Sequence, residues 1–211
     1  MPIHQRYVEQ IFEDMKTGVL SGLDVSGLFL KKIQGDSDWS FVIKVQTLVE
    51  TSLTEGLVRW IGELKIKRFL DRLPLSDEEV GKLALAKDLG ILDSRQRQFV
   101  RRLAQLRNNL AHRADHADFS LPQYISNFDS QKRAAWQQAI CWFSESGDES
   151  RTYWREAALN QPRLAIWLAT YMLVALINLS ATEREASRST KKAALKTAEE
   201  LYESAAERDE A

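Results

Sequence analysis

The chain holds one cysteine, Cys141, in 211 residues. That excludes an intramolecular disulfide and a four-cysteine zinc site and fits a reducing compartment. A lone cysteine of this kind reads as a small buried hydrophobe. Net charge is lacking too, with 29 basic residues against 30 acidic ones. No global field therefore steers the protein to nucleic acid or to membranes, and any such attraction has to be local. Strand-like alternation and Asn-Gly or Asp-Gly turns are missing, which argues against a sheet. The GxSxG of serine hydrolases and the GxxxxGK[ST] and GxGxxG phosphate loops are missing as well, which removes those enzyme classes. The opening MPIHQRYVEQIFEDMK is charged and has no apolar centre of the signal-peptide kind, so a cytoplasmic protein is expected.

What is present is helical period along nearly the whole chain, and the expected fold class is all-α. Tyr7, Ile11, Phe12 and Met15 place one helix over residues 3–18, and a short second one follows over 24–33. A long third helix is expected over 39–72, with Gly62 as a candidate break and Pro74 as its stop. Ser76 and Glu79 have capping-box spacing for the next helix, Gly90 sits where a left-handed C-cap belongs, and Asp93 caps the helix after it. Pro122 and 126-SNFD-129 mark a loop before a helix over 129–144. The segment 164-LAIWLATYMLVALINL-179 is apolar but short of the roughly 20 residues a bilayer requires. Arg163 and Glu183 bracket it closely, so it reads as a core helix or an oligomer face and no membrane span is expected.

Three regions follow from composition. Residues 1–121 and 162–185 form the main helical unit. Residues 122–161 form an accessory helical segment with three of the six tryptophans, Trp136, Trp142 and Trp154. These are expected to pack onto the main unit rather than to stack on RNA bases. Residues 186–211 form a charged tail that extends the last helix into solvent.

The stretch 101-RRLAQLRNNLAHRADH-116 concentrates the polar chemistry. At about 100° per residue, Phe99, Leu103, Leu106 and Leu110 gather on one side of a helix, the core side. Asn108 and His112, four residues apart, lie together on the opposite face with Arg101, and Arg107 stands on the shoulder between. Ala104 and Ala111 lie close to that face, where their small size admits another helix. From Arg95 to Arg113 there are six arginines, Arg95, Arg97, Arg101, Arg102, Arg107 and Arg113, and no acidic residue. Such a stripe suits phosphate, the usual partner of the planar guanidinium fork, and it is also what a solvated helix face looks like.

Histidine and arginine meet the two needs of a metal-independent ribonuclease. One is a base of near-neutral pKa for the ribose 2′-hydroxyl, and the other is a fixed cation for the crowded phosphorane. The products would be a 2′,3′-cyclic phosphate and a 5′-hydroxyl, with no cofactor. A second histidine to protonate the leaving oxygen would come from the other copy of a two-fold dimer. A metal site is the competing use of these residues, since 112-HRADH-116 spaces His112 and His116 by four with Asp115 beside them. It lacks the glutamate of HExxH and a distant ligand, so no metal is assigned.

Residues 82-KLALAKDLGILDSRQRQFVRRLAQLRNNLAH-112 resemble the HEPN superfamily. Its hallmark is an arginine, a polar residue, a few variable residues and a histidine. The Lys-Leu-Ala-Leu-Ala run, the Leu-Gly-Ile-Leu turn and Arg-Asn-x-x-Ala-His look most like the mannitol operon repressor branch, as do Phe119, Ser120 and the helix start at Pro162-Arg163. The resemblance spans about 38–121 and 162–180. It implies an antiparallel helical bundle, a homodimer formed through the motif helix, and in many members metal-independent RNA cleavage within toxin–antitoxin or antiphage systems, with an antitoxin as protein partner. Arg107 and His112 match the hallmark pair and Asn108 the polar position, while Arg101, Arg102 and Arg113 would hold RNA phosphates. Glu50 matches an acidic residue of several members and equally fits a solvated helix. The repressor branch is regulatory, so the resemblance also implies the alternative of a non-catalytic module that dimerises and binds a protein or nucleic acid.

Overall fold

The computed structural model describes residues 35–111, 118–144 and 149–209, which hold eight α-helices and no strand. The expected all-α class is what these residues adopt. The helices expected over 3–18 and 24–33 lie outside them. The helices are α1 (Asp38–Ile61), α2 (Lys67–Leu70), α3 (Lys82–Asp88), α4 (Ser94–Ala111), α5 (Leu121–Ser126), α6 (Ser130–Ile140), α7 (Glu149–Asn160) and α8 (Pro162–Asp209).

The central pair is α1 and α8. Val42, Val45, Val49, Leu53 and Leu57 of α1 are fully buried, as are Ala165, Ile166, Ala169 and Leu173 of α8. The two backbones come close at Gly56, where an added Cβ would collide with Cγ2 of Ile177. Glycine is needed there for the approach itself. The apolar stretch over 164–179 is thus the core's own helix. Its most apolar 18-residue window has mean hydropathy 1.9 and is long enough to cross a membrane by composition, yet 56% of it is buried inside the protein.

The third expected helix ends sooner than its hydrophobic period suggested. Gly62, with φ 78°, donates its N–H to the Val58 carbonyl and terminates α1. A 3₁₀ turn (Leu64–Ile66) and the single turn of α2 occupy the rest of the way to Pro74. The next helix also starts later than Ser76. The Asp77 carboxylate accepts the N–H groups of Glu79 and Val80 at 2.9 and 2.8 Å, forming an Asx-type turn, and α3 begins only at Lys82. Those contacts hold the carboxyl of Asp77 below the usual range.

The two ends nearest the motif helix follow expectation closely. After α3, Gly90 (φ 70°) donates to Lys87 O and Ile91 donates to Ala86 O, the paired bonds of a Schellman stop. Asp93 then accepts the N–H of Gln96 while the Gln96 amide accepts that of Asp93, both at 2.8 Å, a reciprocal capping box that launches α4. Pro122, expected in a loop, sits instead in the first turn of α5, where its missing N–H costs nothing.

The tryptophan-rich stretch shares the same core. Trp136 is 1% exposed, donates its indole N–H to Ala158 O at 2.8 Å, and meets Tyr124 and Phe128 edge-on. Trp142 is also buried, and Trp154 packs partly buried against the cluster. The tail extends α8 as a helix, and its first turns are docked rather than free. Glu185 binds Arg59 at 2.7 Å, and Arg188 donates to the carbonyls of Arg59 and Trp60 at the C-terminal end of α1.

Candidate functional site

The sequence of α4 sorts its side chains by azimuth. Phe99, Leu103, Leu106 and Leu110 are buried, as the winding requires, and so are Val100 and Ala104. The last two widen the covered arc toward Arg107. Ala104, expected to admit another helix, is covered by this chain's own residues. Gln105, Asn108 and Asn109 remain exposed and mark the open face.

Arg107 is half-buried. Its Nε is shielded from solvent without a hydrogen-bond partner among the described residues, and one terminal nitrogen donates to Asn108 Oδ1 at 3.2 Å. Among the described residues no carboxylate pairs with Arg107, whereas Arg59, Arg101 and Arg163 each have one. A guanidinium held by a neutral amide keeps its charge uncompensated, and a partly desolvated uncompensated cation attracts an anion strongly. The structure thus brings together Arg107 and Asn108 of the expected site. His112, Arg113, Asp115 and His116 lie outside the described residues, and so does the metal alternative built on them.

The surroundings of that end of α4 are well fixed. Trp39, in the first turn of α1, points its indole N–H at the Leu110 carbonyl at 3.5 Å. Next to Trp39, Asp38 accepts from Arg163 at 2.9 Å and from the Leu121 N–H at 2.8 Å, so the starts of α1, α5 and α8 converge there. Arg163 also lies over the Phe41 ring at 4.6 Å, a cation–π contact.

Glu50 is placed elsewhere. It stands eleven residues beyond Trp39 on α1, about 16 Å along the axis, and makes no hydrogen bond to Arg107 or Asn108. It accepts from Lys82 Nζ at 2.8 Å and from Gln46 at 3.1 Å. The Lys82 side chain is only 3% exposed, so Glu50 neutralises a lysine that would otherwise be a bare buried charge. Sequence reading missed this pair because Lys82 occupies the first turn of an amphipathic helix, a position that usually faces solvent.

The arginine stripe is partly committed within the chain. Arg97 donates to Leu92 O at 2.6 Å, and Arg101 reaches Glu78 at 3.3 Å across the loop before α3. Arg102 is half-buried. Of the three residues expected to hold RNA phosphates, Arg101 is thus already ion-paired. The cysteine behaves as expected of a buried hydrophobe. Burial pushes the Cys141 thiol up to about 11, and the thiol donates to Trp154 O at 3.2 Å.

The chain matches no family model, no curated protein and no solved structure.

Proposed function

We propose that this protein is a metal-independent endoribonuclease with an antiparallel bundle of HEPN type, acting as a homodimer through the α4 face. Arg107 stabilises the phosphorane charge, Asn108 orients Arg107, and His112 is the general acid or base, its counterpart in the other copy supplying the opposite proton transfer. The observation that carries this reading is the state of Arg107. It is half-buried, held by Asn108 and free of any carboxylate among the described residues, and it precedes His112 by five residues in sequence. A cation kept uncompensated in that way suits a phosphoryl group that gains charge in the transition state.

Purified protein incubated with RNA in EDTA tests this. The expected products carry 2′,3′-cyclic phosphate and 5′-hydroxyl ends, and Arg107→Ala lowers the rate by about a hundredfold or more. Ends of the opposite kind, 5′-phosphate and 3′-hydroxyl, would exclude attack by the 2′-hydroxyl. A second reading, the non-catalytic interaction module, is favoured by the commitment of Arg97 and Arg101 within the chain, since both are withdrawn from an RNA backbone. It predicts intact RNA with wild type and variant alike.

A further inference from the structure

The Arg188 guanidinium docks on the end of α1, and α8 then runs on to Asp209. Residues 189–209 make about 30 Å of helix, and every side chain from 189 to 201 is exposed. Helices in proteins draw most of their stability from packing an amphipathic face, and this segment has such a face. Wound at about 100° per residue, Ala194, Leu195, Ala198, Leu201, Tyr202 and Ala205 fall within an arc of about 120°. Leu195 in that arc is 56% exposed. Charge along the segment is sorted into two blocks. Residues 189–198 carry Lys191, Lys192 and Lys196 and no acidic residue, whereas residues 199–207 carry Glu199, Glu200, Glu203 and Glu207 and no basic one. Lys196 reaches Glu200 at 3.5 Å where the blocks meet. Within the blocks like charges stand four residues apart, Lys192 with Lys196 and Glu199 with Glu203, a spacing that weakens a helix on its own.

We propose that residues 189–209 pair with the same segment of a second copy of this chain in antiparallel orientation. A two-fold axis crossing the segment near its centre lays the apolar arc of one copy on that of the other. Alanines at 194, 198 and 205 let the two helices approach closely. The same axis sets the lysine block of each copy beside the glutamate block of the other, so one sequence supplies both halves of a complementary surface. Lys192, Lys196, Glu199 and Glu203 follow one border of the arc, and an antiparallel two-fold brings that border against its own copy. Parallel pairing would instead lay lysines beside lysines and glutamates beside glutamates, which selects against it. The contact uses no residue of α4, so it stands or falls apart from the ribonuclease reading.

Sedimentation velocity of the full chain over a range of concentrations tests it, beside a chain ended after Thr190. The full chain is expected to self-associate about tenfold more tightly or better, whether or not the α4 face also pairs. Lys192→Glu with Lys196→Glu makes both blocks acidic and weakens the association by about tenfold, as does Glu199→Lys with Glu203→Lys. Combining all four substitutions reverses the order of the blocks and restores the association of an antiparallel pair. Mixing the two double variants restores it as well. All four positions lie beyond the docked end of α8, and unchanged melting temperatures confirm that each variant is folded. The proposal is overturned if the shortened chain associates as tightly as the full one. A full chain that is a monomer at every concentration also overturns it, the apolar arc then being covered by the chain's own residues or by a different protein. Association of Lys192→Glu with Lys196→Glu at wild-type strength, as a parallel pair would give, or failure of the fourfold variant to recover, overturns it equally.

Discussion

Arg107 and Arg188 are both arginines on helix flanks, but they spend their donors differently. Arg188 gives its terminal nitrogens to the carbonyls of Arg59 and Trp60, groups that the end of α1 leaves without intrahelical partners. Among the described residues, Arg107 has only the Asn108 amide. Arg188→Ala should therefore lower stability by about 1 to 2 kcal/mol and leave any RNA cleavage intact, while Arg107→Ala should do the reverse; urea unfolding and an RNA assay on both variants separate the two. Thr170 presents the opposite case, a fully buried hydroxyl with no partner among the described residues. Thr170→Val keeps the shape and removes the unsatisfied group, so thermal unfolding should show a gain of about 1 kcal/mol. Cys141 gives a pH-dependent outcome. Its folded thiol is raised from the ordinary 9.0 to about 11, so folding favours the protonated form. The stability linked to it is present below pH 9 and is lost as pH rises toward 11. At pH 8 iodoacetamide should modify native protein far more slowly than urea-unfolded protein, and equal rates would contradict the burial account.

At the level of the helix, local chemistry decided what could be read in advance. The Schellman stop at Gly90 and the capping box of Asp93 and Gln96 are closed within a few residues, so their sequence signatures carry nearly all the information. Ser76 and Glu79 have the same spacing, but Asp77 between them competes for the Glu79 and Val80 N–H groups and holds the chain in a turn. The end of α1 at Gly62 was legible only as a candidate, because Leu64, Ile66 and Phe69 continue the apolar pattern past it. That end is made by the left-handed φ of Gly62, and the Arg188 guanidinium packs where a Cβ would stand. Arg107 on the shoulder and Asn108 on the polar face were identifiable from winding, whereas the burial of Val100 and Ala104 beside Arg107 depends on helices distant in sequence. Gly56 is the point at which α1 and α8 test this packing most sharply. Gly56→Ala forces the Ile177 side chain or the two helices apart and should cost about 1 to 3 kcal/mol by urea unfolding, while Gly56→Ala combined with Ile177→Leu, which lacks the colliding Cγ2, should recover part of the loss.

Across the whole molecule one hydrophobic cluster runs from Phe41 through Trp136 to Ile177, so residues 121–160 contribute to the same core as the elements that carry the motif. The polar end of α8 divides differently. Glu185 and Arg188 are docked on the end of α1, whereas residues 189–201 are exposed. Ending the chain after Thr190 should change the melting temperature little, and ending it after Ser180 should cost about 2 kcal/mol or more by removing both docked groups. The core explains how α4 is held and why Arg107 is presented half-buried, but the chemistry proposed for the molecule rests on the residue that follows α4. The direct measurement is cleavage of total RNA by wild type and His112→Ala, each confirmed as folded and compared at equal concentration in EDTA. The account predicts cleavage by wild type and a loss of about a hundredfold or more in the variant. Intact RNA with a folded, dimeric wild type, or equal cleavage by both proteins, would contradict it.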